Sequence, residues 1–439
     1  MKKFFLLLIL IFISNVSYAD FVIEKFDEHI KFTEKGREVD VVIKARVKLG
    51  QNYFYKEWGY IFDKRSKINI VNAKVVGKSQ YKTSFGNNTL KFQFDKAING
   101  DVLEFRFKYN QETDDISLYS RSEHVSIPAF ASNARGSIKV EIPYNYITYS
   151  LNPQFTLYGN TYSWSGKVPN NGFSDFFNLT LKQARWNVRI ISKVYGDENI
   201  SKIDLKIPSY FKNGNNIIEK YSIIPSQSTA KIKEDDNDIN IFFDKVNSSS
   251  IVVTLDAVLR NDVDNKAWIR LDPTKYLNID PVLSTELQNL IYSIKANQQN
   301  KPLYITLAEW VHNFIQYNDT YFGKDMTTQQ ILSLGKGVCI HYAQLYNDLL
   351  RASGIPSIIV AGESYDIEKK RFESHAWNLI HVNGDWISID PTWGIYSGKL
   401  PVSHIFFYLT ERPVINYTIY NTSSNNFRSE VNKSVEFLN

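Results

Sequence analysis

The sequence reads as a multidomain chain: two β-sandwich-like domains, then an α+β core, behind an export leader. Three observations predict this. Apolar residues alternate with polar ones through most of residues 20–270. Near 272 the apolar spacing changes to three and four. An apolar decapeptide preceded by two lysines opens the 439-residue chain.

The leader is "MKKFFLLLILIFISNVSYAD". Lys2 and Lys3 supply the positive end, Phe4 to Ile13 the apolar run, and Ser17-Tyr18-Ala19 the small-x-small site, so residues 1–19 are expected to be a signal peptide cleaved after Ala19. Ten apolar residues are too few to span a bilayer comfortably. No cysteine follows the run to carry a lipid, and no later stretch is long and apolar enough to cross a membrane. The expected location is periplasmic or extracellular, without stable membrane insertion.

Cys339 is the only cysteine, so no intramolecular disulfide can form and packed cores must hold the chain. Losing Lys2 and Lys3 would lower the formal net charge from +5 to +3. With no arginine-rich run or arginine–aromatic stripe, this balance does not point to nucleic acid. Aromatics at 14% point to large hydrophobic cores.

Residues 20–185 are expected to form the first β-sandwich-like domain. In "TLKFQFDKAINGDVLEFRFKYN", Leu90, Phe92 and Phe94 alternate before Asn99-Gly100, and Leu103, Phe105, Phe107 and Tyr109 after it. That pattern predicts a hairpin. "GSIKVEIPYN" repeats it with Ile138, Val140 and Ile142. Residues 186–270 are expected to form the second such domain, with strands in "SKIDLKIP", "DINIFFDKV" and "SSIVVTLDAVL". The acidic stretches at 234–240 and 261–268 lack the glycine and distal glutamate of an EF-hand loop, so they read as solvated turns rather than calcium sites.

A catalytic domain is expected over 272–412 and a peripheral Asn- and Ser-rich tail over 413–439. Asp280-Pro281 opens a helix with Leu287, Leu290, Ile291 and Ile294 on one face. A second helix carries Leu307, Trp310, Val311, Phe314 and Ile315, and a third, short one is expected over 326–334. "GKGVCIHYAQLYNDLLRASGIP" then places Cys339 at a helix N-terminus, with Gly354 as the C-terminal cap. Unpaired N–H groups and the helix dipole favour a thiolate at such a position. The GKG lacks the spacing and the following Ser or Thr of a phosphate loop.

The next segment is "ESHAWNLIHVNGDWISIDPTWG". If Asn383-Gly384 is a two-residue hairpin loop, Leu379 faces Ser388 and Trp377 faces Asp390. His375 then lies diagonally from Asp390 on the same face. A three-residue loop would separate them. A helix-terminal thiol, a histidine and an orienting carboxylate make a nucleophilic triad: Cys339, His375 and Asp390. His341 is a poorer base, projecting from another helix face, and His381 lies nearer the turn.

These three blocks, in order, resemble the transglutaminase-like superfamily of papain-like fold, over roughly residues 280–412. The β-rich region before them resembles exported prokaryotic members. The resemblance implies a papain-like transglutaminase core with Cys339 as nucleophile, His375 as general base and acid, and Asp390 as orienting residue. A second oxyanion donor is left open among Trp310, Tyr317, Tyr321, Gln329 and Gln330. The expected activity is that of a cysteine peptidase or amidase working through a thioester on a protein or peptide substrate, a cell-wall peptide included. The alternatives are a cross-linking acyl transferase and a non-enzymatic surface scaffold with a vestigial core. No cofactor or metal is required, and the sequence leaves the oligomeric state open.

Overall fold

The computed structural model describes residues 19–49, 54–62, 67–112, 120–128, 134–150, 155–211, 216–227, 229–235, 238–263, 271–296, 300–367, 369–411, 418–421 and 427–438. The expected leader therefore lies, but for Ala19, outside the described residues, as does most of the acidic stretch at 261–268. The fold is strand-rich and multidomain, and the chain divides into two compact units, residues 1–179 and 180–439.

The first unit contains β1 (Ala19–Thr33), β2 (Gly36–Leu49), β3 (Tyr55–Ile61), β4 (Lys67–Val76), β5 (Tyr81–Gly86), β6 (Thr89–Ala97) and β7 (Val102–Glu112). It continues with β8 (Ser120–Ile127), β9 (Arg135–Glu141), β10 (Tyr146–Ser150), β11 (Thr156–Tyr158), β12 (Thr161–Lys167) and β13 (Phe173–Leu181). A seven-stranded sheet runs β11-β12-β9-β1-β2-β7-β4, and two three-stranded sheets run β3-β6-β5 and β10-β13-β8. Apolar faces meet between sheets, with Trp58 stacked on Phe105 at 4.2 Å and Phe32 edge-on to Phe177 at 6.1 Å.

One expected hairpin is instead an arch. β6 and β7 flank Asn99-Gly100 but belong to different sheets. Phe92 and Phe105 face each other across the interior at 5.2 Å. Gly100 takes a left-handed φ of 89° and its N–H donates to Val47 O at 2.9 Å. Alternation records which face is buried. It does not record whether two successive strands share a sheet or face each other.

The second unit begins with two long strands, β14 (Gln183–Pro208) and β17 (Asp238–Asp262), which pair antiparallel along most of their length. β15 (Asn216–Pro225) and β16 (Lys231–Glu234) pair with β17. Asp235 and Asp238 close the β16–β17 turn through mutual hydrogen bonds, as a hairpin turn requires.

The helical part follows as α1 (Pro281–Ala296), α2 (Leu303–Phe314), the two-residue strand β18 (Gln316–Tyr317), α3 (Thr328–Leu334), the two-residue strand β19 (Lys336–Gly337) and α4 (Cys339–Ala352). A four-stranded antiparallel sheet comes next: β20 (Ser357–Asp366), β21 (Arg371–Val382), β22 (Asp385–Ile389) and β23 (His404–Thr410), in the order β22-β21-β20-β23. Two further strands, β24 (Thr418–Asn421) and β25 (Phe427–Leu438), return to β14.

Helix α4 is the centre of this unit. Leu345, Tyr346, Leu349 and Leu350 are fully buried against α1, α2 and the sheet. Asn378 of β21 donates to Ala343 O at 2.9 Å and fixes helix to strand. The β14–β17 sheet covers the other side of the four-stranded sheet. Asn216 donates to Phe406 O, Asn261 donates to the carbonyls of Val402 and His404, and the buried Trp186 meets Phe372 at 5.2 Å.

The boundary expected near 272 therefore falls inside one compact unit, and the facing layer for the 186–270 strands is the core itself. The stretch expected to be a peripheral tail, 413–439, includes β25, which pairs with Arg185–Gly196. Ser429, Asn432 and Ser434 are exposed on this outer strand, where polar side chains face water.

Candidate active site

The segment before α4 explains the two glycines around Lys336. Gly335 caps α3 at φ 59°, a left-handed conformation that glycine adopts without strain. A Cβ on Gly337 would come within 2.7 Å of His341 Cβ and 3.0 Å of its ring. That ring caps α4: its Nδ1 accepts the Val338 N–H at 3.0 Å, and its Nε2–H donates to Lys324 O at 3.0 Å. Burial holds His341 below the ordinary histidine range, which suits a neutral acceptor. Both its nitrogens are occupied in positioning the helix start.

Cys339 is the first residue of α4, 8% exposed, and packed among Ile340, Ala343, Ile359 and Ala376. It opens into a cavity of 190 Å³ that His375 also lines. His375 stands on β21, and the nearby Cys339 thiol interacts with its imidazole. Its Nε2–H donates to Asp390 Oδ2 at 2.8 Å, which leaves Nδ1 for the sulfur.

The hairpin register is the one counted from the sequence. Asn383 and Gly384 both have positive φ, 53° and 84°, as a type I′ loop requires. Val382 pairs with Asp385 and Leu379 with Ser388. Asp390 follows at the strand end and is fully buried. Its Oδ1 accepts the N–H groups of Thr392 and Trp393 at 2.9 and 3.2 Å, and backbone hydrogen bonds between Asp390 and Ile395 close the loop. His312 Nδ1 meets Pro391 O at 2.9 Å from the opposite side. The Asp-Pro-Thr segment thus presents its carboxylate in one orientation.

Electrostatics favours charge separation here. Burial opposes a charge on His375, but the Asp390 carboxylate, its hydrogen bond and the Cys339 contact outweigh this and raise the pKa to about 10. Burial likewise opposes a charged Asp390, and the two histidines outweigh it, holding the carboxyl below its ordinary range. Trp393 stacks on the His375 ring at 4.4 Å and shields it.

Sequence reasoning missed His404. It lies on β23, 14 residues beyond Asp390, and its Nε2–H donates to the same Asp390 Oδ2 at 3.1 Å. Burial keeps His404 below its ordinary pKa despite the carboxylate. A neutral ring can then accept from Ser364 Oγ, 3.1 Å from Nδ1. No short motif marks it. Its role depends on which strand follows the loop, and only the fold shows that. His375, Asp390 and His404 bring three ligand-type atoms within 4.8 Å of one another, but Asp390 Oδ2 is already taken by both imidazoles. His381 pairs instead with Trp386 near the turn.

Four of the five oxyanion candidates have other partners. Trp310 stacks on Phe314, Gln329 donates to Glu286, Gln330 caps α3, and Tyr321 packs on the helical core under Lys324. Tyr317 lies on the strand paired with the one that leads into Cys339. The parallel pairing of β18 with β19 sets it opposite Gly337, and its ring lies 6.2 Å from Tyr342. Burial, and after it the electrostatic influence of Cys339, push its phenol above the ordinary range.

Residues 290–391 match the family model of the transglutaminase-like superfamily. A 96-residue stretch is 29% identical to the kyphoscoliosis peptidase of Mus musculus, covering 19% of this chain and 14% of that protein. The chain thus spans about one seventh of that curated relative. Among solved structures, a Cytophaga hutchinsonii protein proposed to be a cysteine protease aligns at 15% identity and TM-score 0.45, over 58% of this chain and 91% of its own. The periplasmic domain of TgpA from Pseudomonas aeruginosa, in its ethylmercury-bound crystal structure, aligns at 15% identity and TM-score 0.26, over 47% and 90%. Among the described residues, no helix is long and apolar enough to cross a membrane.

Proposed function

We propose that the chain is an exported cysteine hydrolase that cleaves amides in protein or peptide substrates through a thioester on Cys339. The observation that carries this reading is the buried line from thiol to His375 to Asp390 at a helix N-terminus. Sγ attacks the carbonyl carbon as the thiolate, the thiol proton being held on His375 Nδ1. Asp390 keeps Nε2 protonated and compensates the imidazolium. The oxyanion forms beside the Cys339 backbone N–H, with the Tyr317 hydroxyl as second donor. His375 returns the proton to the leaving amine, the C–N bond breaks and the thioester remains. Water then attacks with His375 as base, the C–S bond breaks and the acid is released.

Hydrolysis is favoured over transfer because the approach to the thiol is open. Phe322, at the cavity rim, and Tyr317 are both exposed, so water is not excluded. Export rests on the leader segment. The reaction is tested by incubating the chain with a cleavable amide peptide and excess primary amine. Mostly free acid is expected. A predominant amine adduct would make the protein an acyl transferase.

A further inference from the structure

The far wall of the Cys339 cavity contains a polar cluster that the proposed chemistry does not use. Ser374, Phe407 and Lys433 line that cavity beside Ala361 and Gly362, and Glu363 of β20, next in the chain to Gly362, is buried at 5% exposure. Ser374, the residue before His375, donates to Glu363 Oε1 at 2.8 Å. Lys433 arrives from β25, 70 positions after Glu363 in the chain. Its ammonium donates to Glu363 Oε1 at 3.2 Å and to Ser374 Oγ at 3.1 Å, and lies 5.2 Å from the centre of the Phe407 ring.

A carboxylate, a hydroxyl acceptor and an aromatic face are the three groups that recognise a primary ammonium. Removing one partner of a buried ion pair leaves the other unpaired, which favours a replacement partner. We propose that Glu363, Ser374 and Phe407 form an ammonium-binding subsite in the cavity wall, with Lys433 as its resident occupant. The native chain therefore refuses a second cation at this wall and accepts substrates whose residue there is neutral. Without Lys433 the subsite takes a primary ammonium, such as a lysine side chain. The consequence for substrate choice rests on the hydrolase reading; the binding site itself does not.

The test uses the full chain, its Lys433→Ala variant and n-butylammonium, with 1-butanol as the neutral control. Butylammonium should raise the thermal midpoint of Lys433→Ala by about 2–4 °C at saturation. It should also slow alkylation of Cys339 in that variant several-fold. The native chain and the doubly substituted Lys433→Ala, Glu363→Gln chain should respond to neither compound. If Lys433→Ala does not fold alone, butylammonium should restore a cooperative transition. Equal stabilisation of native and variant chains, no response in the variant, or an equal effect of butanol would overturn the subsite. Failure of Cys339 to react in the native chain would count against the hydrolase instead, and the thermal readout would still decide the subsite.

Discussion

Residues 20–179 and the β14–β17 sheet carry the same alternating pattern, and the fold uses them differently. In the first stretch, the buried faces of the strands meet strands of the same unit, as with Trp58 on Phe105. In the second, the buried face meets the sheet that carries His375: Asn216 and Asn261 bond the β23 backbone, and Trp186 reaches Phe372 of β21. The first stretch is a layer structure in its own right; the second belongs to the scaffold of the site. Alternation shows that a face is buried, and the tertiary fold decides what it is buried against.

The largest expected effect separates the two stretches directly. A chain of residues 180–439 should unfold cooperatively and keep a reactive Cys339. A chain of residues 272–439 should be insoluble or molten, because it exposes the face that Trp186, Asn216 and Asn261 cover. Circular dichroism melts of both chains check this. A folded, reactive 272–439 chain would show the β14–β17 sheet to be a separable module.

Within the site, Asp390→Asn should lower turnover by about two to three orders of magnitude, because the wrong imidazole tautomer becomes available. Steady-state kinetics on a cleavable peptide measures this, and full activity would mean that Asp390 does not orient His375. Tyr317→Phe should lower kcat by roughly ten- to a hundredfold and leave KM nearly unchanged, since it removes a donor used only in the transition state. An effect confined to KM would assign Tyr317 to substrate binding.

The smallest effect is a shift in pH dependence. The folded pKa of His375 is raised, so its charge stabilises the native state fully below the ordinary histidine range, and this contribution is lost as pH rises through about 10. The folded pKa of Asp390 is lowered, so its contribution is present above the ordinary carboxylate range and is lost as pH falls through the depressed value. The alkaline limb of kcat should accordingly lie near pH 10 rather than near neutrality. A limb near pH 6.5 would mean that His375 is not held charged.

The core of the site was legible in the sequence because its cues are local. Asn383-Gly384 fixes a two-residue loop, and from that loop the His375–Asp390 geometry follows by counting. Gly335, Gly337 and Gly354 bracket a helix start and a helix end. His404 and Lys433 were not legible, because each reaches the site through strand order, from β23 and from β25, with no motif around it. The Asn99-Gly100 arch misled for a related reason: a local turn signal does not say which sheet the next strand joins.

The central claim is that Cys339 is the nucleophile and His375 its base. Its most direct test is the rate at which iodoacetamide alkylates Cys339 in the native chain near neutral pH, read by intact mass. The account predicts labelling faster than that of a free cysteine peptide, slowed by His375→Ala. Labelling that occurs only after unfolding would make Cys339 an inert core residue and contradict the account.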